Sequence, residues 1–193
     1  MQIHTLPLGA YQTNTYIVEN DGHCVIIDPG YEPETITRFL KKNGLSADAI
    51  FLTHGHFDHV GAVKALAEKL SCPVYIHEAE LSLPEALTAG KLHYTHTYGE
   101  GDRIEKAGLP FRVLHTPGHT PGSVCLIAED SCFSGDTLFA GSCGRTDLPG
   151  GDWTTIRRSL KRLAQIENDL TVYPGHGEST ALAAEKRYNP YMQ

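Results

Sequence analysis

The stretch Phe51-Leu52-Thr53-His54-Gly55-His56-Phe57-Asp58-His59-Val60-Gly61 constrains the fold more than any other part of the chain. Three histidines and an aspartate fall within six residues. The apolar run Ala49-Ile50-Phe51-Leu52 precedes them, and apolar residues recur after them at Val60, Val63, Leu66, Ala67 and Leu70. The first run reads as a short buried strand and the second as an amphipathic helix. The cluster is therefore expected in the turn between them, at the carboxyl end of a strand, where open α/β sheets bind ligands. Imidazole and carboxylate are good ligands for zinc, iron and manganese. His54 and His56 can point to one position while Asp58 and His59 point to a second, and Gly55 permits a tight path around an ion. By itself the motif suits a mononuclear or a binuclear centre.

The 193 residues are expected to form one domain, 1–193, large enough to bury a substantial core. A composition of 40% hydrophobic and 20% charged residues points away from disorder and from a membrane class. The N-terminus has no charged-then-apolar pattern, so neither a leader peptide nor a spanning helix is expected. A net charge of −7 argues against nucleic acid and anionic membranes as partners. The five cysteines are odd in number and widely spaced, with no C-x-x-C, which suggests a reducing cytoplasm rather than a disulfide framework. Cys24, Cys125 and Cys132 lie in apolar runs and are expected in the core.

In chain order, Ile3 to Leu8, Asn14 to Glu19 and His23 to Asp28 read as strands, with a hairpin turn at Asn20-Asp21-Gly22. Asp28 is either a turn former or a support beside a metal. Glu34 to Lys42 reads as a helix closed by Asn43-Gly44. With the strand Pro73 to His77, this gives two βαβ units. Residues 83–100 are irregular and form either a plain connection or a cover over the site. Strands return at Arg103 to Lys106, Phe111 to His115, Ser123 to Ala128 and Ser131 to Ser134. His119, Asp136 and His176 each follow a strand-like run and stand beside glycine, as His54 does. After a glycine-rich loop from Gly141 to Gly151, Asp152 reads as the N-cap of a helix from Trp153 to about Glu167. A short helix near Ala181 to Arg187 follows.

The ordered set His54-x-His56-x-Asp58-His59, His119, Asp136, His176 resembles the metallo-β-lactamase superfamily, over essentially the whole chain. The motifs Gly118 to Ser123, Gly135 to Phe139 and Pro174 to Gly177 resemble its glyoxalase II (hydroxyacylglutathione hydrolase) branch. The stretch from Ser142 to Asp152 resembles the short, single-domain members of that branch. The resemblance implies an α/β fold, a four-layer αββα sandwich with the metal site at one edge of the sheets. It implies that His54, His56 and His119 hold one divalent ion and that Asp58, His59 and His176 hold a second, with Asp136 bridging. Zinc is the first expectation, and iron or manganese the alternatives.

The implied activity is hydrolysis of a small thioester such as S-D-lactoylglutathione by a metal-bridging hydroxide, oriented by Asp58. Such water is acidified to a pKa of about 7. No G-x-S-x-G elbow offers a serine nucleophile. Arg145 matches a basic family position near the thiol ester's peptide part and could pair with a substrate carboxylate. Its plainer reading is an ion pair with Asp147 or Asp152. The expected partner is a small-molecule, possibly glutathione-derived, thioester. The family's larger members carry a C-terminal helical domain that is not expected here. Aspartate at 136, where true β-lactamases commonly carry cysteine, weakens a reading as antibiotic hydrolase. The alternatives are a mononuclear-iron persulfide dioxygenase, which shares the ligand motif, and a lactonase or other ester hydrolase. A purely structural metal site is disfavoured, because such sites are usually cysteine-rich and closed.

Overall fold

A computed structural model describes residues 1–193. The chain opens as the expected antiparallel meander, β1 (Gln2–Leu8), β2 (Thr13–Asn20) and β3 (His23–Ile27). Helix α1 (Pro33–Asn43) follows, with proline at its start and Gly44 in the left-handed conformation closing it. Next come β4 (Ser46–Phe51), α2 (Phe57–Val60), α3 (Val63–Leu70), β5 (Val74–His77), a 3₁₀ turn (Glu78–Ser82) and β6 (His96–Tyr98). Strands β3 to β6 pair in parallel, so both predicted βαβ units are present. Together β1 to β6 form a six-stranded sheet in chain order.

The second half continues with β7 (Arg103–Lys106), β8 (Leu109–His115), β9 (Val124–Ala128) and β10 (Ser131–Gly135). The small hairpin β11 (Leu138–Phe139) and β12 (Ser142–Cys143) precedes α4 (Trp153–Ala164), β13 (Thr171–Pro174), β14 (Thr180–Ala181) and α5 (Leu182–Tyr188). The second six-stranded sheet runs β14-β13-β10-β9-β8-β7.

Period-2 alternation sorts the strand side chains into separate apolar layers. Tyr16, Val18, Val25, Ile27, Ala49 and Phe51 of the first sheet meet Phe111, Val113, Val124, Leu126 and Phe133 of the second. The opposite residues of the first sheet, Ile17, Cys24, Ile26 and Ile50, pack under Ile36 and Leu40 of α1 and Val63 and Leu66 of α3. Leu114, Cys125, Ile127, Cys132 and Val172 pack under Ile156, Leu160 and Leu163 of α4 and Leu182 of α5. The result is the four-layer αββα sandwich. All five cysteines are free, and Cys24, Cys125 and Cys132 are buried as expected. No helix is long and apolar enough to cross a membrane.

Local departures from the sequence reading have identifiable causes. Asp58 and His59 do not sit in a turn but on the separate helix α2. The helical run expected from Val60 to Leu70 breaks at Gly61-Ala62, because the Ala62 amide donates to Pro29 O instead (3.1 Å). Helix α4 stops at Ala164, short of Glu167. The irregular segment 83–100 contains β6, which a three-residue span could not announce by periodicity.

Candidate metal centre

Five strand ends meet at one edge of the sandwich. Asp28 follows β3, His54 follows β4, His119 follows β8 by four residues, and Asp136 and His176 follow β10 and β13. The strands point the same way at this edge because β3 and β4 are parallel, as are β10 and β13. All seven residues named from the sequence as metal ligands arrive together. Donor atoms of His54, His56 and His119 lie within 4.8 Å of one another, as do those of Asp58, His59 and His176. Asp136 lies between the two groups. Its Oδ2 is 3.6 Å from His119 Nε2 and 3.6 Å from His176 Nε2, and its Oδ1 is 3.4 Å from His59 Nε2.

Hydrogen bonding fixes which nitrogen of four rings faces inward. His119 Nδ1 donates to Arg145 O (2.8 Å) and His176 Nδ1 donates to Tyr11 O (3.1 Å). His59 Nδ1 donates to Asp28 Oδ2 (3.0 Å). Thr53 Oγ1 gives its own proton to Asp28 Oδ2 (2.6 Å), so it accepts from His54 Nδ1 (3.2 Å). Each ring thereby keeps its proton on Nδ1 and turns the Nε2 lone pair toward the cluster, the arrangement by which outer partners tune metal-binding histidines. His56 is the exception, with Nδ1 2.9 Å from His119 Nε2. Two imidazole lone pairs at that distance need a proton or a cation between them.

Several buried polar atoms here lack any hydrogen-bond partner: Nε2 of His54, His56 and His59, and Oδ1 of Asp136. Unpaired buried polar atoms are costly and rare in folded proteins. The atoms of His54, His59 and Asp136 belong to the donor cluster, and its nitrogen and oxygen set suits a divalent transition ion. The residues therefore fit a metal. Burial, reinforced by the surrounding rings, holds His54 well below its ordinary pKa and pushes His56 down to about 4, keeping both in the neutral, ligating form. At His59 burial acts the same way, but Asp136 and Asp28 outweigh it and raise the ring's pKa. A cation placed there would compete with that proton for the same lone pair.

Several supporting residues carry no sequence signal. Thr13 Oγ1 donates to Asp58 Oδ2 (3.1 Å), and Asp58 Oδ2 faces His176 Nε2 at 3.2 Å. Asn14 Nδ2 donates to Pro174 O (3.0 Å) and Gly177 O (2.9 Å), holding the His176 loop. Glycine is obligatory at 175, where a Cβ would stand 2.1 Å from Asp136 Oδ1. Asp28, read as turn former or support, serves as both: it adopts the left-handed conformation (φ 51°) and orients His59.

The cluster opens into a cavity of about 410 Å³ with apolar walls of Tyr11, Phe57, Leu87, Phe139 and Leu148. Leu87 is the contribution of the irregular segment, and its carbonyl accepts from Phe57 N (2.7 Å). His96 lies elsewhere, stacked on Tyr75. Arg145 lines the cavity, but its guanidinium grips Asp147 through two 2.7 Å hydrogen bonds.

The model of the metallo-beta-lactamase superfamily matches residues 8–176. The chain is 38% identical to the probable metallo-hydrolase YqgX of Bacillus subtilis, over 100% of this chain and 98% of that protein. It is 34% identical to the hydroxyacylglutathione hydrolase GloC of Haemophilus influenzae, over 100% and 98%. Among crystal structures, BLEG-1 B3 metallo-beta-lactamase superposes with a TM-score of 0.94 at 37% identity, covering 100% of both chains. TTHA1623 in a di-iron-bound form gives 0.88 at 43%, covering 97% of this chain and 99% of that one. ETHE1 from Myxococcus xanthus gives 0.86 at 31%, covering 98% and 84%. The sandwich, the strand-end donors and full-length likeness of this kind agree, and the chain belongs to the metallo-beta-lactamase superfamily.

Proposed function

We propose that this chain is a single-domain, metal-dependent hydrolase of the glyoxalase II type that cleaves a small thioester such as S-D-lactoylglutathione. The observation that carries the reading is the pair of donor groups, His54/His56/His119 and Asp58/His59/His176, sharing Asp136 at the floor of one cavity. The named activity of the Haemophilus relative supports the substrate class. Two divalent ions, zinc in the first instance, would supply Lewis acidity to activate water and polarise the acyl carbonyl.

The chain's own groups supply the rest. Asp58, restrained by Thr13 and facing His176, orients the attacking water as well as holding its ion. The apolar walls shed water from the acyl and thiol arms of the substrate and strengthen the electrostatics inside. Arg145 receives a substrate carboxylate by exchanging it for Asp147, its present partner. That exchange costs little, because the pair is exposed.

The first test is hydrolysis of S-D-lactoylglutathione by the metal-loaded protein, followed as loss of thioester absorbance. Turnover is expected; none, with two ions bound per chain, would overturn the substrate assignment. The likeness to ETHE1 from Myxococcus xanthus favours one second reading, a mononuclear-iron persulfide dioxygenase. Oxygen uptake with glutathione persulfide and one iron per chain would be its signature. The likeness to a B3 metallo-beta-lactamase makes a β-lactam a third substrate to test, its hydrolysis followed as loss of the β-lactam's own absorbance.

A further inference from the structure

Glu80 is a fully buried carboxylate outside the donor cluster that bonds to two of the cluster's loops. It lies on the 3₁₀ turn after β5 and has 0% exposure. Its Oε2 accepts from Gly55 N (2.5 Å) and its Oε1 accepts from Gly122 N (2.6 Å). Gly55 stands between His54 and His56, and Gly122 stands three residues beyond His119. One carboxylate thus spans the loop after β4 and the loop after β8, which belong to different sheets.

No cationic side chain accounts for the buried charge. Burial pushes the Glu80 carboxyl up, and what opposes it is the Thr120 hydroxyl and the two glycine amides. An unpaired carboxylate in an interior is retained only where its hydrogen bonds are good and complete. Both loops are shaped around it. A Cβ at Gly122 would stand 2.7 Å from Glu80 Oε1, and one at Gly55 would stand 3.0 Å from Oε2. The base of the same turn braces the His119 loop a second time. His77 stacks on His115 (centroids 4.2 Å apart, 12° between planes), and His115 Nε2 donates to Pro121 O (2.9 Å).

We infer that Glu80 is a positioning residue for the three-histidine group: its carboxylate sets the spacing between the loop that carries His54 and His56 and the loop that carries His119. The inference rests on the reading of that group as a metal position. Glu80 touches neither ion nor substrate. It acts through two backbone amides, so its removal lets the loops drift apart without deleting a ligand. Ligand spacing errors of that kind loosen a metal site because the rings can no longer reach one ion with ideal geometry.

The test is Glu80→Gln, which keeps the shape but turns an NH₂ toward one glycine N–H, so that one of the two bonds is lost. Cobalt(II) and zinc(II) are the probes, with affinity read by chelator competition and geometry by the cobalt visible spectrum. His54→Ala, which deletes a ligand of the same position, identifies the ion concerned. Glu80→Gln is expected to fold with the wild-type circular dichroism spectrum. It should weaken that ion at least tenfold and alter its cobalt bands, while the other ion stays bound. Unchanged affinity and bands in a folded Glu80→Gln overturn the inference. So does a Glu80→Gln that fails to fold, which would place the residue in the architecture instead. If His54→Ala leaves the bound-metal count unchanged, the metal reading of that group has failed, and the inference that rests on it falls with it.

Discussion

At Asp28 a single atom exchange separates geometry from chemistry. The carboxylate accepts three hydrogen bonds, from Thr53 N, Thr53 Oγ1 and His59 Nδ1. Asparagine fits the same space but presents an NH₂ in place of one oxygen. Facing His59, that NH₂ would force the ring proton from Nδ1 to Nε2 and remove the lone pair aimed at the cluster. Asp28→Asn is therefore expected to fold and to lose about 10- to 100-fold in metal affinity, the usual cost of removing such a partner. Isothermal titration of the metal-free protein with zinc checks it, and wild-type affinity would mean that His59 ligates nothing. Direct removal is the harsher version. Asp58→Ala or His59→Ala should drop the bound metal from two ions to one, by elemental analysis, and nearly abolish hydrolysis. Full activity in either variant would sink the binuclear reading.

At the scale of elements, the end of β8 in the second sheet is tied to α4 by Glu100 and Arg162, and the tie is pH-sensitive with a definite sign. Arg162 donates to Glu100 Oε1 and Oε2, and the His115 amide donates to Oε2 (2.8 Å). The hydrogen bond from Arg162 is the main reason the Glu100 carboxyl sits below its ordinary range. A carboxylate with a depressed folded pKa stabilises above its unfolded value, about 4.3, and loses that contribution as pH falls through the folded one. Both side chains are more than a third exposed, so the contribution is below about 1 kcal/mol. Melting temperatures of wild type and Glu100→Gln should differ slightly at pH 7 and converge near pH 3. A gap that widens in acid would show the sign to be wrong.

The same elements show what a sequence can carry. Strands β2 to β4 and β8 to β10, with α1, α3 and α4, were readable because each repeats an apolar residue at its own period. The donors were readable because four of them share one short motif and the others follow strand-like runs beside glycine. Glu80, Thr13, Asn14 and the Tyr11 carbonyl were not, since each acts across chain separations of 25 to 165 residues or through the backbone. Nothing in H-E-A-E announces that its last residue will be sealed between two loops. Strands β6 and β14 are defined by pairing with a neighbour, and two or three residues hold too little pattern to predict that.

Over the whole molecule, the donors draw the two sheets together at one edge. His54, His56, Asp58 and His59 come from the first sheet's half, and His119, Asp136 and His176 from the second. Between the sheets lies an apolar layer that is independent of any ion, built on Phe51, Phe111 and Phe133. Metal removal should therefore leave a cooperatively folding sandwich whose stability is lower, rather than an unfolded chain. Ligand that binds only the native state at 100 times its dissociation constant adds about 2.7 kcal/mol. At roughly 2–4 °C per kcal/mol for a chain of this size, that is about 5–10 °C in Tm. Calorimetry of the chelator-stripped protein against the same sample with zinc restored measures it. The expected result is a single transition in both, shifted upward by the metal in proportion to the logarithm of its free concentration. A stripped protein with no transition would show that the apolar layer between the sheets cannot hold the fold alone. Identical Tm values would show that the convergent histidines bind no ion in preference to the unfolded chain, and the catalytic reading would fall with them.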